Sequence, residues 1–112
     1  MLPFNCKDWH NSEWWRKVRR YLKIERGWKC WICGVVSEGV EVDHVIPYDN
    51  SLYTDEEKRE LFTNKKNLWV LCPRCHRRKT QIFDIELNKK KNKLGSVPYL
   101  KNRIKEELNK SF

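Results

Sequence analysis

Four of the five cysteines stand in two pairs, and each pair has the C-x2-C spacing of a metal-binding turn. The first pair is Cys30 and Cys33, and the second is Cys72 and Cys75. Such a turn places two thiolates on one side of a tetrahedron, the geometry in which Zn2+ binds four ligands. The N-terminus lacks a secretory signal pattern, which favours a reducing compartment and metal over disulfides. Because four thiolates leave no position open for water, the sequence predicts a structural zinc ion.

Four polar residues that could bind a second cation or activate water accompany these cysteines. Asp43 and His44 are adjacent in the segment between the two pairs, Asn67 precedes the second pair, and His76 directly follows Cys75. Taken singly, Asp-His is an ordinary polar turn, Asn67 a turn residue and His76 a spare zinc ligand. Their order, inside a loop that zinc would close, indicates a second metal site beside a histidine base.

The charge of the chain favours a polyanionic partner. Lys and Arg number 24 against 15 Asp and Glu, which gives a formal net charge of +9. Arg77, Arg78 and Lys79 directly follow His76 and are expected to contact nucleic-acid phosphates, with a solvated helix face as the alternative. No apolar run approaches membrane-spanning length, so no membrane partner is expected and a cytoplasmic location is favoured.

Local sequence signals predict the elements that position the first cysteine pair, Asp43 and His44. Residues 12–26 have the pattern of an amphipathic helix, which Ser12 can cap and Gly27 can end. Its apolar positions recur at helical spacing: Trp14, Val18, Tyr21 and Leu22. Residues 28–45 are typical of a zinc knuckle followed by a short strand, which Pro47 ends.

Further sequence signals predict the elements that position Asn67, the second cysteine pair and His76. Thr54 opens a capping box for a short helix that closes near Asn64. Residues 67–71 form a second predicted strand, and Pro73 suits the first turn of a helix that carries Cys75 and His76.

Beyond Thr80 the sequence predicts basic helices with a break at Gly95-Ser96. The last helix has an apolar stripe that is expected to pack on the body of the protein: Leu100, Ile104 and Leu108. A length of 112 residues suits one domain. It would contain a leader helix (12–26), a zinc-clamped core (28–80) and a basic C-terminal extension (81–112).

Three motifs carry a resemblance to a known family. The chain contains D-H-V-I-P from Asp43, N-L-W-V-L-C from Asn67 and C-H-R-R-K-T from Cys75. In this order, with Cys30 and Cys33 upstream, they resemble the four-cysteine type of the HNH endonuclease family. The basic helix before the first pair is similar to the leader of small phage-encoded members. The resemblance covers residues 14 to 80 and leaves the last thirty or so residues outside.

The resemblance implies a small α+β fold and assigns roles to the polar residues. The core would be a ββα-metal, treble-clef-like arrangement with a structural four-cysteine zinc site, flanked by N- and C-terminal helices. His44 would be the general base, Asn67 would orient the loop that bears it, and Asp43 with His76 would hold one divalent cation. That ion would be Mg2+ or Mn2+, with Ni2+ and Zn2+ as alternatives. The insert between the strands lacks the glycine pair that family members often have.

The implied function is metal-dependent DNA cleavage, by nicking or double-strand cutting, that leaves 5′-phosphate and 3′-hydroxyl ends. Implied partners are DNA, a second copy of the chain, and phage packaging proteins in a bacterial host. The alternative is a zinc-ribbon module that binds nucleic acid without catalysis. Such a module would have no need of Asp43, His44 and Asn67. His10 and Cys6 lie outside the motifs and are predicted to have no part in either site.

Overall fold

A two-stranded antiparallel hairpin and the helix that follows it organise the fold. The structure is a computed structural model, and it describes residues 2, 6–89 and 97–110. Strand β1 is Glu41–His44 and strand β2 is Leu68–Leu71. Asp43 lies opposite Trp69 and His44 opposite Leu68. Both Asp43 and His44 lie in the buried half of β1.

Helices surround this hairpin. The described residues form, in chain order, a 3-10 turn (Cys6–Asn11), α1 (Glu13–Arg26), β1, α2 (Asp55–Thr63), a 3-10 turn (Lys65–Asn67), β2, α3 (Pro73–Lys79), a π-helical turn (Thr80–Asp84), α4 (Ile85–Lys89) and α5 (Val97–Lys110). This is the small α+β fold that the sequence predicted. Among these residues, no helix is both long and apolar enough to span a membrane.

The predicted helix ends are confirmed. Ser12 caps α1 by accepting a hydrogen bond from the Trp15 amide at 3.2 Å. Gly27 ends that helix at φ +68°, a left-handed conformation that costs glycine little. Thr54 and Glu57 form both hydrogen bonds of the capping box on α2.

The core surrounds the hairpin: α1 packs on both strands, and α5 packs on α3 and on the 3-10 turn before β2. Val18 is buried on α1, and the predicted stripe Leu100, Ile104 and Leu108 is buried on α5. The placement of Tyr21 with the apolar residues is wrong, because its side chain is 56% exposed. Its ring instead contacts the ammonium of Lys65, at 5.3 Å from the ring centre. The predicted break at Gly95-Ser96 lies outside the described residues.

Candidate functional site

The four cysteines predicted to bind zinc come together in one cluster. Their sulfur atoms all lie within 4.8 Å of one another. The Sγ atoms of Cys33 and Cys72 are 3.7 Å apart. Zinc–sulfur bonds of about 2.3 Å in a tetrahedron would separate neighbouring sulfurs by roughly 3.8 Å. The cluster therefore has the donor atoms and the dimensions of a four-thiolate zinc site.

Backbone contacts bring the two pairs together. The first pair sits in a turn that Gly34 completes at φ +79°, with its amide donating to the Cys30 carbonyl at 3.1 Å. The Trp31 amide donates to the Val70 carbonyl at 2.8 Å, which ties this turn to β2. The second pair begins at Cys72, whose sulfur caps α3 by accepting from the Cys75 amide at 3.4 Å.

The thiols differ in acidity. Burial raises the pKa of Cys75 far above its ordinary value. Burial also raises the pKa of Cys30, but hydrogen bonds from neighbouring backbone amides outweigh it and lower that pKa to about 7. A bound cation favours the thiolate form, so zinc binding would release protons from this cluster.

Asp43, His44 and His76 line one cleft of about 480 Å³. The His76 Nε2 atom lies 3.4 Å from Asp43 Oδ1. Two ligand atoms at about 2.1 Å from one cation lie roughly 3.0–3.4 Å apart in octahedral or tetrahedral geometry. The spacing of this pair is therefore compatible with a shared divalent cation, and both residues line the cleft.

The two oxygens of Asp43 have different surroundings. Oδ2 accepts a hydrogen bond from Trp69 Nε1 at 2.9 Å and contacts the Lys79 ammonium at 3.0 Å. Oδ1 is the oxygen that faces His76. Burial raises the pKa of Asp43, but the Lys79 charge and these hydrogen bonds outweigh it and hold that pKa below its ordinary value. Asp43 is thus an ionised carboxylate with a fixed orientation.

His76 is held between two carboxylates. Its Nδ1 atom lies 3.4 Å from Glu41 Oε2, while Nε2 faces Asp43. The hydrogen bond to Asp43 is the main cause that raises the pKa of His76. Glu41 went unrecognised in the sequence, although its spacing of two from Asp43 places both on one face of β1.

His44 packs against two aromatic rings that also contact each other, those of Trp15 and Phe62. Its ring stacks on Trp15 and on Phe62, with centroids 5.0 Å apart in both cases. His44 Nε2 lies 3.1 Å from the Phe62 carbonyl oxygen. Since a carbonyl only accepts, we assign the hydrogen to Nε2, and Nδ1 then carries the lone pair. Burial lowers the pKa of His44 to about 4, so the ring is neutral at pH 7 and can accept a proton.

Asn67 fixes the backbone that follows His44. It is fully buried, and its Oδ1 accepts from the Ile46 amide at 2.9 Å. Its Nδ2 donates to the carbonyls of Ile46 and Leu61 at 3.0 and 2.8 Å. Its own carbonyl accepts from the Val45 amide at 2.8 Å. These contacts hold the segment after β1 against the end of α2, next to His44.

The assignment of Lys79 to phosphate contact is wrong. Its side chain is fully buried, donates to the His44 carbonyl at 2.7 Å and pairs with Asp43 and Asp84. Lys79 follows Cys75 by one helical turn, so both lie on the inner face of α3. The π-helical turn after it carries Asp84, whose pKa is raised, chiefly by burial. Arg77 is exposed and Arg78 is partly exposed, and their contact with phosphates stays a prediction.

Replacing Lys79 with methionine should destabilise the protein by about 3–5 kcal/mol, because Asp43 and Asp84 would lose the buried cation that pairs with both. Urea unfolding of the zinc-loaded variant would measure this loss. The control is Arg77→Met, which removes an exposed charge from the same helix and should change stability little. A loss below about 1 kcal/mol for Lys79→Met would show that the buried pair is not a stabilising contact.

His10 and Tyr48 also line the cleft, although neither belongs to a motif that predicted the site. The Tyr48 hydroxyl lies 2.8 Å from His10 Nδ1, and the His10 ring is 6.0 Å from that of His44. Burial lowers the pKa of His10 and raises the pKa of Tyr48 to about 12. His10 comes from the 3-10 turn before α1, far from the motifs, and only the packing of that turn reveals its position.

Comparison with known proteins finds similarity over the segment that contains the motifs. The HNH endonuclease family matches residues 29–81, a span that contains both cysteine pairs and the polar residues predicted from the motifs. A protein of Lactococcus phage SK1, named "Probable HNH endonuclease", is 30% identical over 76 residues, which are 67% of this chain and 78% of that protein. No solved structure matches the chain significantly. The phage relative is similar over most of its length, and the family match covers the segment with both cysteine pairs. The chain therefore belongs to the HNH endonuclease family.

Proposed function

We propose that this protein is a divalent-metal-dependent DNA endonuclease whose products carry 5′-phosphate and 3′-hydroxyl ends. One observation supports the proposal: His44, whose ring is neutral at pH 7, lines the same cleft as Asp43 and His76, whose facing atoms lie 3.4 Å apart. The name of the phage relative supports the activity and supports action inside an infected bacterial cell. In this proposal the chain acts as one nuclease domain, with a leader (12–26), a core (28–80) and a C-terminal extension (81–112).

His44 is the general base of the proposed reaction. Its Nδ1 atom accepts a proton from water, and the resulting hydroxide attacks phosphorus. The bond from phosphorus to the 3′ oxygen breaks, and that oxygen takes a proton from solvent. A positioned base of this kind accelerates hydrolysis by roughly 10²–10⁴. Burial suits His44 to the role because it keeps the ring unprotonated at neutral pH.

Asp43 and His76 would hold the divalent cation, for which Mg2+ or Mn2+ is proposed. When bound, the ion would stabilise the negative charge that develops on the phosphoryl and leaving oxygens. The protein keeps both ligands in place beforehand: Trp69 and Lys79 fix Asp43, and Glu41 contacts the distal nitrogen of His76. Asn67 acts indirectly, by holding the backbone next to His44.

Glu41→Ala should weaken binding of the cleft cation by about 10–100-fold, because a metal-bound histidine depends on the partner of its other nitrogen. Glu41→Gln retains an accepting oxygen and should lose much less. Calorimetric titration of the zinc-loaded variants with Mn2+ would measure both dissociation constants. Equal, large losses in the two variants would instead make Glu41 a direct ligand, and no loss in either would remove Glu41 from the site.

Supercoiled plasmid provides the test of the function. Zinc-loaded protein would be incubated with plasmid in Mg2+, Mn2+, Ni2+ or additional Zn2+, with a sample without added cation as the control. We expect nicked circles in Mg2+ or Mn2+, and linear product if two copies act together on both strands. Binding of the plasmid with no product in any cation would overturn the proposal and favour a zinc-ribbon binding module.

A further inference from the structure

A second groove continues the cleft along α1. It has a volume of about 360 Å³ and is called the α1 groove below. Its lining residues are His10, Trp15, Arg19, Lys23, Glu41, Val42 and His76. Three of them, His10, Val42 and His76, also line the cleft that contains His44. The α1 groove and the cleft therefore form one continuous surface that passes the proposed cation site.

The charges along this surface are separated. The carboxylates of Glu41 and Asp43 lie beside His76, where the cation would bind. Arg19 and Lys23 are four residues apart on α1, so they lie on one face of that helix and both reach the α1 groove. A strand held at the cation would thus meet two positive side chains next to it.

Arg19 has a buried hydrogen-bond donor that a bound anion could satisfy. Its Nε is buried and, among residues 6–89 and 97–110, has no hydrogen-bond partner. A solvated arginine would satisfy this donor with water, whereas a buried donor without an acceptor costs about 1–3 kcal/mol. Arg19 also adds to the effect of burial in lowering the pKa of His10, which places its charge near the junction of groove and cleft. A phosphate oxygen would supply the acceptor.

We propose that Arg19 and Lys23 bind the phosphates that adjoin the scissile phosphate on the same nucleic-acid strand. The proposal rests on the function proposed above and extends it to α1, which lies outside the segment that matches the family. The leader helix is then part of the substrate-binding surface, and the strand runs from the cleft toward the C-terminal half of α1.

The test compares three variants with the same change of charge. Arg19→Gln and Lys23→Gln remove the groove cations, and Arg20→Gln is the matched control because Arg20 is exposed on the same helix and does not line the groove. Binding would be measured by fluorescence anisotropy of a labelled duplex over a salt series. All variants would carry His44→Ala, so that the DNA remains intact in Mg2+.

Each lost phosphate contact should reduce the slope of log K against log salt by about 0.9. We expect that reduction for Arg19→Gln and for Lys23→Gln, and a smaller one for Arg20→Gln. With His44 restored, the two groove variants should raise KM for plasmid cleavage with little change in kcat, since they remove binding that is common to substrate and transition state.

Equal slopes for the three variants would overturn the inference, because net charge alone would then explain binding. Arg19→Lys keeps the cation and should retain the slope; loss as large as for Arg19→Gln, with full zinc content, would also overturn it. Absence of cleavage by the unaltered protein would instead overturn the proposed function, and the two failures are therefore distinguishable.

Discussion

His44→Ala is expected to lower the rate of DNA cleavage by roughly 10²–10⁴, since it removes the proposed base. The ring is neutral at pH 7 because burial lowers its pKa to about 4, so the unaltered protein has its base in the active form. Single-turnover cleavage of a labelled duplex in Mg2+ would measure the loss, with zinc content and DNA binding measured on the same samples. Both of these should stay close to those of the unaltered protein.

Loss of packing needs its own control, because His44 stacks on both Trp15 and Phe62. Phe62→Leu disturbs the same stack and leaves the imidazole in place. It should lower the midpoint of thermal unfolding while keeping most of the cleavage rate well below that temperature. Cleavage by His44→Ala at the unaltered rate would exclude His44 from the mechanism.

Cys72→Ser is expected to abolish zinc binding and, with it, the folded state. Structural zinc sites contribute roughly 10–16 kcal/mol of apparent binding free energy at pH 7, more than the stability of most small domains. Serine can still accept the hydrogen bond from the Cys75 amide that caps α3. The loss of structure would therefore result from the missing metal ligand and not from a missing helix cap. Zinc content by elemental analysis and helix content by circular dichroism would measure the two effects.

Cys6→Ser is the matched control, because Cys6 lies outside the four-cysteine cluster. It should retain one zinc per chain and unaltered helix content. A soluble Cys72→Ser protein that is folded and free of zinc would contradict a structural role for the cluster.

The parts of this fold that sequence could predict are those that depend on local chemistry. Ser12, Gly27 and Thr54 act on groups within a few residues, so their patterns determine where helices begin and end. The cysteine cluster was predictable for a related reason: C-x2-C spacing places two potential ligands locally, and a bound zinc ion would supply the long-range closure.

The parts that sequence missed depend on contacts between distant segments. Lys79 directly follows two exposed or partly exposed cations, Arg77 and Arg78, and its burial follows only from the carboxylates that surround it. A π-helical turn brings one of these carboxylates, Asp84, to Lys79, and no sequence pattern predicts that turn. His10 likewise reaches the cleft only because the segment before α1 packs on Tyr48.

Helix α3 carries Cys75, which belongs to the four-cysteine cluster, and directly after it His76, which lines the cleft. If both proposed metals bind, two ions with different tasks depend on the placement of one short helix. Under the proposed mechanism, a host cell starved of zinc would make inert nuclease even with abundant magnesium. Zinc supply would then set how much of the newly made enzyme ever becomes competent to cut.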